Sequence, residues 1–223
     1  HATKWAAEAL IARVYLFYTG YYNKTELPLS EGGVITKQNV IEWLSDCIAN
    51  SGHGLIDDFR NLWPYSNKYT SLDYKYASDN ELEWVGEGGT NEETVFALKF
   101  SIRGNWTNIA HGNAVICYFS LRNQPNYNDV FPFGQGYGIA TVNPLMYEEW
   151  QKKEPTDIRR DGSILDVNNP GENIKYVWGQ GKQIEETGYW QKKYIAINHK
   201  KEDGGVENFS VPMYGCTPNF QFD

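Results

Sequence analysis

The sequence predicts a mainly α chain: an α-rich α+β fold in which one helix pair is followed by long irregular loops and short β-hairpins. Three observations predict it. Two early stretches repeat apolar residues at close to the helical period. A long middle stretch is dense in aromatics yet has no period. The later sequence breaks into short β-prone pieces separated by Gly, Asn, Asp and Pro.

The first helix lies in "ATKWAAEALIARVYLFYTGYY" (residues 2–22). Thr3 is its cap, and Ala6, Ala9/Leu10, Arg13/Val14 and Phe17 mark the recurring positions of its stripe. The alanines favour helix and let a neighbouring backbone come close. Gly20 is the expected stop. The second helix lies in "TKQNVIEWLSDCIANSGHGL" (residues 36–55), with Thr36 as cap. Val40/Ile41, Leu44 and Cys47/Ile48 form its stripe, and Gly52 is its stop. The caps at Thr3 and Thr36 are about 33 residues apart, near the repeat length of a tetratricopeptide helix pair. Residues 1–55 are therefore read as one tetratricopeptide-like pair. Such pairs need about three units to bury a continuous core, and no second copy follows. The apolar faces of residues 4–17 and 40–48 are accordingly expected to lie open.

Residues 56–223 read as a loop-rich excursion with short strands. Eight Trp, sixteen Tyr and ten Phe make 15% of the chain, although its mean hydropathy is negative. In "RNLWPYSNKYTSLDYKYASDNELEWVGEGG" (residues 60–89) the aromatics sit in polar sequence without a period. Long ordered loops of this kind are often functional. Tyr and Trp offer a flat apolar face and one polar tip, which suits sugars and protein interfaces. Each such ring either pins the loop to the domain or faces a ligand. "ETVFALKFSI" (93–102) and "NAVICYFSL" (113–121) are expected as strands or short buried segments. Asn143 before Pro144 predicts a helix near residues 144–151. "GSILDV", "IKYVWG", "YWQKKYIAI" and "NFSVPMY" are expected to form short hairpins.

Composition and motifs exclude several functions. A net charge of −8, with basic runs interleaved with acids, argues against a nucleic-acid partner. No apolar run approaches the ~20 residues of a membrane span. Cys47, Cys117 and Cys216 show neither metal-ligand spacing nor a disulfide framework. The four His are scattered, and no metal or cofactor is expected. Gly134, Gly136 and Gly138 miss the dinucleotide fingerprint, because Ile139 stands where its third glycine belongs. They are read as a loop approaching a ligand or another backbone. "DVNNPGENIKYV" (166–177) ends in Val177 where a calcium loop needs Glu. Acids are plentiful (Asp57, Asp58, Glu81, Glu83, Glu148, Glu149), but no pair is singled out for glycoside hydrolysis. The chain is read as a binding protein and not as an enzyme.

Four stretches in order resemble the SusD/RagB family. "ATKWAAEALIARVYLFYTGYY" resembles that family's A-T-K-x-A-A-x-A-L-x-A-R-V-Y-L helix. "WLSDCIANSGHGLIDDFRNLW" resembles its second helix and the loop that follows. "NEETVFALKFS" resembles its N-x-E-x-[IV]-F-x-[IV]-x-[FY] strand. "DIRRDGSI" with the later "YWQKKY" resembles its D-x-R-R and [YF]-x-x-K-[YF] pair, with Ile158 where the family more often has Pro. The likeness spans nearly the whole chain. It implies that residues 1–223 are one portion of a SusD-like domain, internal to a longer chain. It further implies a Bacteroidetes-type surface lipoprotein of the outer membrane, anchored outside this sequence, that takes part in polysaccharide utilisation. Such a protein binds oligosaccharides without catalysis and passes them to a SusC-like TonB-dependent transporter for nutrient uptake.

No motif of the family assigns the sugar contacts. Composition and loop placement point to Trp84, Trp106 and Tyr76, then to Trp63 and Tyr127, as ligand-stacking rings. Arg159, Arg160, Lys192 and Lys193 are read as structural, pairing locally with acids such as Asp157 and Asp161. A glycoside hydrolase and a tetratricopeptide-type interaction module are the alternative functions.

Overall fold

Thr3 opens the first helix as the sequence predicts. Its hydroxyl accepts the Ala6 N–H at 3.1 Å, and helix α1 runs over Lys4–Tyr22. The computed structural model describes residues 2–67, 70–86, 91–97, 115–180 and 186–208. These form two compact units, residues 2–56 with 91–97, and the remainder.

In the first unit, Gly20 does not end α1. The helix continues to Tyr22, and Asn23 takes the left-handed conformation (φ 51°) with its N–H on the Thr19 carbonyl. Side-chain pairs four apart hold the last turns: Phe17 stacks on Tyr21, and Tyr18 meets Tyr22 at 5.0 Å. A two-residue hairpin follows, β1 (Leu27–Pro28) against β2 (Val34–Ile35). Helix α2 (Lys37–Asn50) begins on a full capping box, in which Thr36 and Asn39 satisfy each other's backbone N–H groups. Gly52 follows it at φ +77°. The core is Ala12, Tyr15, Ile35 and Val40, lined by Ile11, Leu27, Trp43 and Leu44. Small Ala12 is what allows α2 to approach. The predicted stripe of α1 is only partly the buried face. Ala6 is buried, but Leu10 and Phe17 are 61% and 67% exposed, and Ile48 on α2 is 81% exposed. Residues 91–97 dock through Glu92 and Glu93, which accept from the Gly54 and Ile56 N–H groups. The strand expected over residues 93–102 is absent from its described part, 93–97. A turn at Asn91–Thr94 directs the chain there, and Phe96 is exposed. Residues 98–102 lie outside the described set.

The second unit is built from short elements around one aromatic core. Two 3₁₀ turns, Phe59–Leu62 and Pro64–Ser66, lead to helix α3 (Lys75–Asp79). In the described part of the predicted irregular excursion, three tyrosines belong to the core. Tyr65, Tyr74 and Tyr76 pack with Leu121, Phe133, Leu165, Trp190, Ile195 and Ile197. Within "NAVICYFSL", residues 115–119 are helix α4 (Val115–Phe119), not strand. The burial explains the correction: Ile116 and Ser120 are buried four residues apart, and both the Ser120 N–H and hydroxyl donate to the Ile116 carbonyl.

Helix α5 (Pro144–Lys153) starts where Asn143 and Pro144 predict, with the Asn143 side chain accepting the Leu145 N–H. Helix α6 (Ile158–Ser163) is capped by Asp157. Strand β3 (Ile164–Asp166) pairs antiparallel with β4 (Tyr189–Gln191), placing Leu165 opposite Trp190 in the core. Strand β5 (Asn198–Lys200) pairs antiparallel with β6 (Val206–Asn208). "IKYVWG" forms no strand; Lys175 N–H bonds the Asp129 carbonyl, and Val177 is held by Gln124. Past Asn208, "NFSVPMY" lies outside the described residues. The glycine run meets a backbone: a Cβ on Gly134 would sit 2.9 Å from Ala196 Cβ, and Gly134 and Gly136 donate to Ala196 and Leu121 carbonyls.

The chain is therefore helix-rich with short antiparallel hairpins. Among the described residues no helix is long and apolar enough to cross a membrane.

Candidate aromatic binding surface

The polar centre of the second unit is a buried ion pair. Lys192 Nζ lies 2.8 Å from Glu172 Oε1, and their side chains are 0% and 1% exposed. The Tyr74 hydroxyl donates to Glu172 Oε2, and Lys192 also donates to the Asp161 carbonyl at 3.1 Å. The ammonium sits 3.3 Å from the centroid of the Tyr76 ring. Burial pushes the Glu172 carboxyl up and the Lys192 ammonium down, and their mutual attraction opposes both. Both Glu172 oxygens are engaged, so this carboxylate is occupied in structure and not free for acid–base work. Lys192 is structural as read from the sequence, but its partner is Glu172, fixed by the Pro170–Glu172 3₁₀ turn.

The neighbouring cations follow the local-pair expectation. Arg159 grips Asp157 through Nε and Nη2, which holds that carboxyl well below its ordinary value. Arg160 pairs with Asp161 at 2.9 Å. Lys193 differs. It has no carboxylate partner among the described residues; instead its Nζ stands 4.8 Å from the Trp63 ring centroid and 5.8 Å from that of Phe59. Burial pushes this ammonium down, with no anion opposing the shift.

Lys193 belongs to an aromatic surface drawn from three chain segments. Trp63 meets Phe59 edge-on at 5.5 Å and Tyr194 at 5.9 Å, and Tyr194 meets Phe119 at 6.1 Å. All four rings are partly exposed. The 3₁₀ turn Phe59–Leu62 presents the first two, because Asp58 caps it and grips Arg60 through both carboxylate oxygens. Helix α4 supplies Phe119. The segment after β4 supplies Lys193 and Tyr194. The indole N–H of Trp63 is buried without an acceptor among the described residues.

Of the five rings expected from sequence, two come to this stretch. Trp63 is at its centre. Trp84 donates its indole N–H to the carbonyl of Leu62, the preceding residue, at 3.3 Å, and Val85 N–H bonds Asn61. Tyr76 is 8% exposed and lies beneath Lys192 in the core. Tyr127 packs partly buried on the core, its hydroxyl accepting the Gln124 N–H. Trp106 lies outside the described residues.

Sequence reasoning passed over Phe59, Phe119 and Tyr194, and read Lys193 as structural. It also passed over Trp178, which is 47% exposed. The Trp178 ring meets Tyr176 edge-on at 5.5 Å and packs where a Cβ on Gly188 would stand 2.6 Å away. Its neighbours are fixed by Gln124 on Val177 and Glu186 on Gly179. Among the described residues, no group of three or more His, Cys, Asp or Glu is placed to hold a metal ion.

No protein-family profile matches the chain, and no curated protein matches it. Among solved structures it is similar to the crystal structure of a SusD superfamily protein from Bacteroides fragilis NCTC 9343. The likeness covers 96% of this chain at 14% identity and a TM-score of 0.41. The chain spans 32% of that protein's length.

Proposed function

We propose that this chain is the glycan-holding portion of a non-catalytic, cell-surface capture protein. In this reading it binds oligosaccharides and delivers them to a SusC-like TonB-dependent outer-membrane transporter. A lipid anchor outside this sequence would hold it at the surface. The observation that carries the binding step is the cluster of partly exposed rings, Phe59, Trp63, Phe119 and Tyr194, brought together from three segments. Such rings match the apolar faces of sugars, while the Asn61 side-chain amide on the same turn offers a partner for hydroxyls. The delivery step and the surface location rest on the four sequence stretches that resemble the SusD/RagB family.

Among the five expected rings, Trp63 and Trp84 take the leading roles, with Trp106 and Tyr127 as further stacking rings. Tyr76 acts from beneath, holding Lys192 and the floor of the unit. Titration of oligosaccharides against intrinsic tryptophan fluorescence tests this. Trp63→Ala is expected to weaken binding at least tenfold, as loss of a stacking ring with its buried area would. Unchanged affinity in Trp63→Ala and Trp84→Ala would remove this surface from the proposal.

A further inference from the structure

We infer that the Trp63 surface selects acidic saccharides, with the Lys193 ammonium receiving a carboxylate of the sugar; this rests on the glycan-binding reading above. The inference begins with the unusual state of Lys193. A lysine head group is strongly hydrated, and one withdrawn from water ordinarily gains an acid in exchange. Around it Lys192, Arg60, Arg159 and Arg160 each have one. Lys24, Lys37, Lys175 and Lys201 have no ion-pair partner among the described residues, but they are exposed to solvent. Lys193 is partly buried, is pushed down by that burial, and has only aromatic faces beside it among the described residues. In a chain with 28 acids against 20 Lys and Arg, Lys193 stands apart as a half-buried cation with rings and no acid beside it among the described residues, which suits it to receive an anion.

The surroundings define what kind of anion. The charge lies over Trp63 and Phe59, with Tyr194 against the other edge of Trp63. A ligand that reaches Lys193 meets rings as well as a cation. A uronic acid satisfies both: its ring offers C–H faces for stacking, and its carboxylate stands at the ring's edge. A bare inorganic anion would use the cation and leave the rings uncovered. An acidic peptide would bring charge without the flat face.

The test uses the full 223-residue chain and matched saccharide pairs. Oligogalacturonides, alginate oligomers and hyaluronan oligomers are each titrated beside their carboxyl-reduced counterparts, with poly-glutamate as the peptide control. The expected result is that at least one acidic member binds about tenfold tighter than its reduced partner, as one charge-assisted hydrogen bond supplies. Lys193→Met, which keeps the packed stem, is expected to abolish that difference, so that each acidic saccharide and its reduced partner bind alike. Lys193→Arg is expected to retain it, and added salt to diminish it. Equal binding of every acidic and reduced pair, or a preference that survives in Lys193→Met, overturns the inference and leaves glycan binding standing. Tighter binding of poly-glutamate, lost in Lys193→Met, overturns it in favour of an acidic peptide. Failure of every saccharide to bind overturns the glycan-binding reading itself.

Discussion

Lys192 and Glu172 show how a single residue pair organises the second unit. Their contact joins the segment after β4 to the Pro170–Glu172 turn, with Tyr65, Tyr74 and Tyr76 around the ammonium. Taking two charges out of water is costly, and removing one leaves the other uncompensated at about 3–5 kcal/mol. Lys192→Met is therefore expected to lower unfolding stability by about that amount, measured by urea denaturation. Glu172→Leu in the Lys192→Met background should return most of the loss, because an apolar pair needs no compensation. Asp157 acts in the other direction with pH. Its folded value is depressed by Arg159, so its contribution is present above the ordinary aspartate value of 3.8 and is lost as pH falls through the folded value. Asp157→Asn keeps the cap of α6 but removes the titration. It should flatten the acid side of a melting-temperature profile below that pH, while an unchanged slope would deny Asp157 this role.

At the scale of elements, the helix pair was legible because its signals are local. Thr3, Thr36 and Asn143 sit where a cap's side chain can reach the first free N–H groups, and each does. Thr36→Ala should cost the first unit about 1 kcal/mol, read from the shift of its thermal transition. Gly20 illustrates the opposite case. Glycine permits a stop but does not force one, and aromatic pairs four apart carried α1 past it to Asn23. A methyl on Gly20 would meet nothing within 4 Å. Gly20→Ala should thus stabilise the helix by about 0.5–1 kcal/mol. Helix α4 was misread because Val115, Ile116 and Phe119 favour strands intrinsically. Burial of Ile116 and Ser120 on one helical face overrode that preference. Helix α6 was missed because six residues hold too little period to detect, and only Asp157 announced it.

For the whole molecule, the open apolar face of the helix pair was legible in the sequence, and the aromatic surface was only half so. One helix pair cannot cover both of its sides, and Leu10, Phe17, Tyr21 and Ile48 lie exposed accordingly. The chain is expected to associate with rising concentration in sedimentation velocity, and Leu10→Lys with Phe17→Glu to suppress it. The aromatic surface needed the fold. Trp63 could be singled out from its loop, but Phe59, Phe119 and Tyr194 are separated by up to 135 positions (194 − 59) and meet through long-range packing. The unpaired state of Lys193 also needed it, because its neighbour Lys192 takes the buried acid while Lys193 faces the rings. In the proposed function, this surface holds glycans without cutting them. The most direct measurement is a panel of oligosaccharides and polysaccharides in which binding and newly formed reducing ends are scored in the same wells. Binding without new ends, weakened in Trp63→Ala and Trp84→Ala, is the predicted result. New reducing ends that appear with the wild-type chain, or binding indifferent to both substitutions, would contradict it.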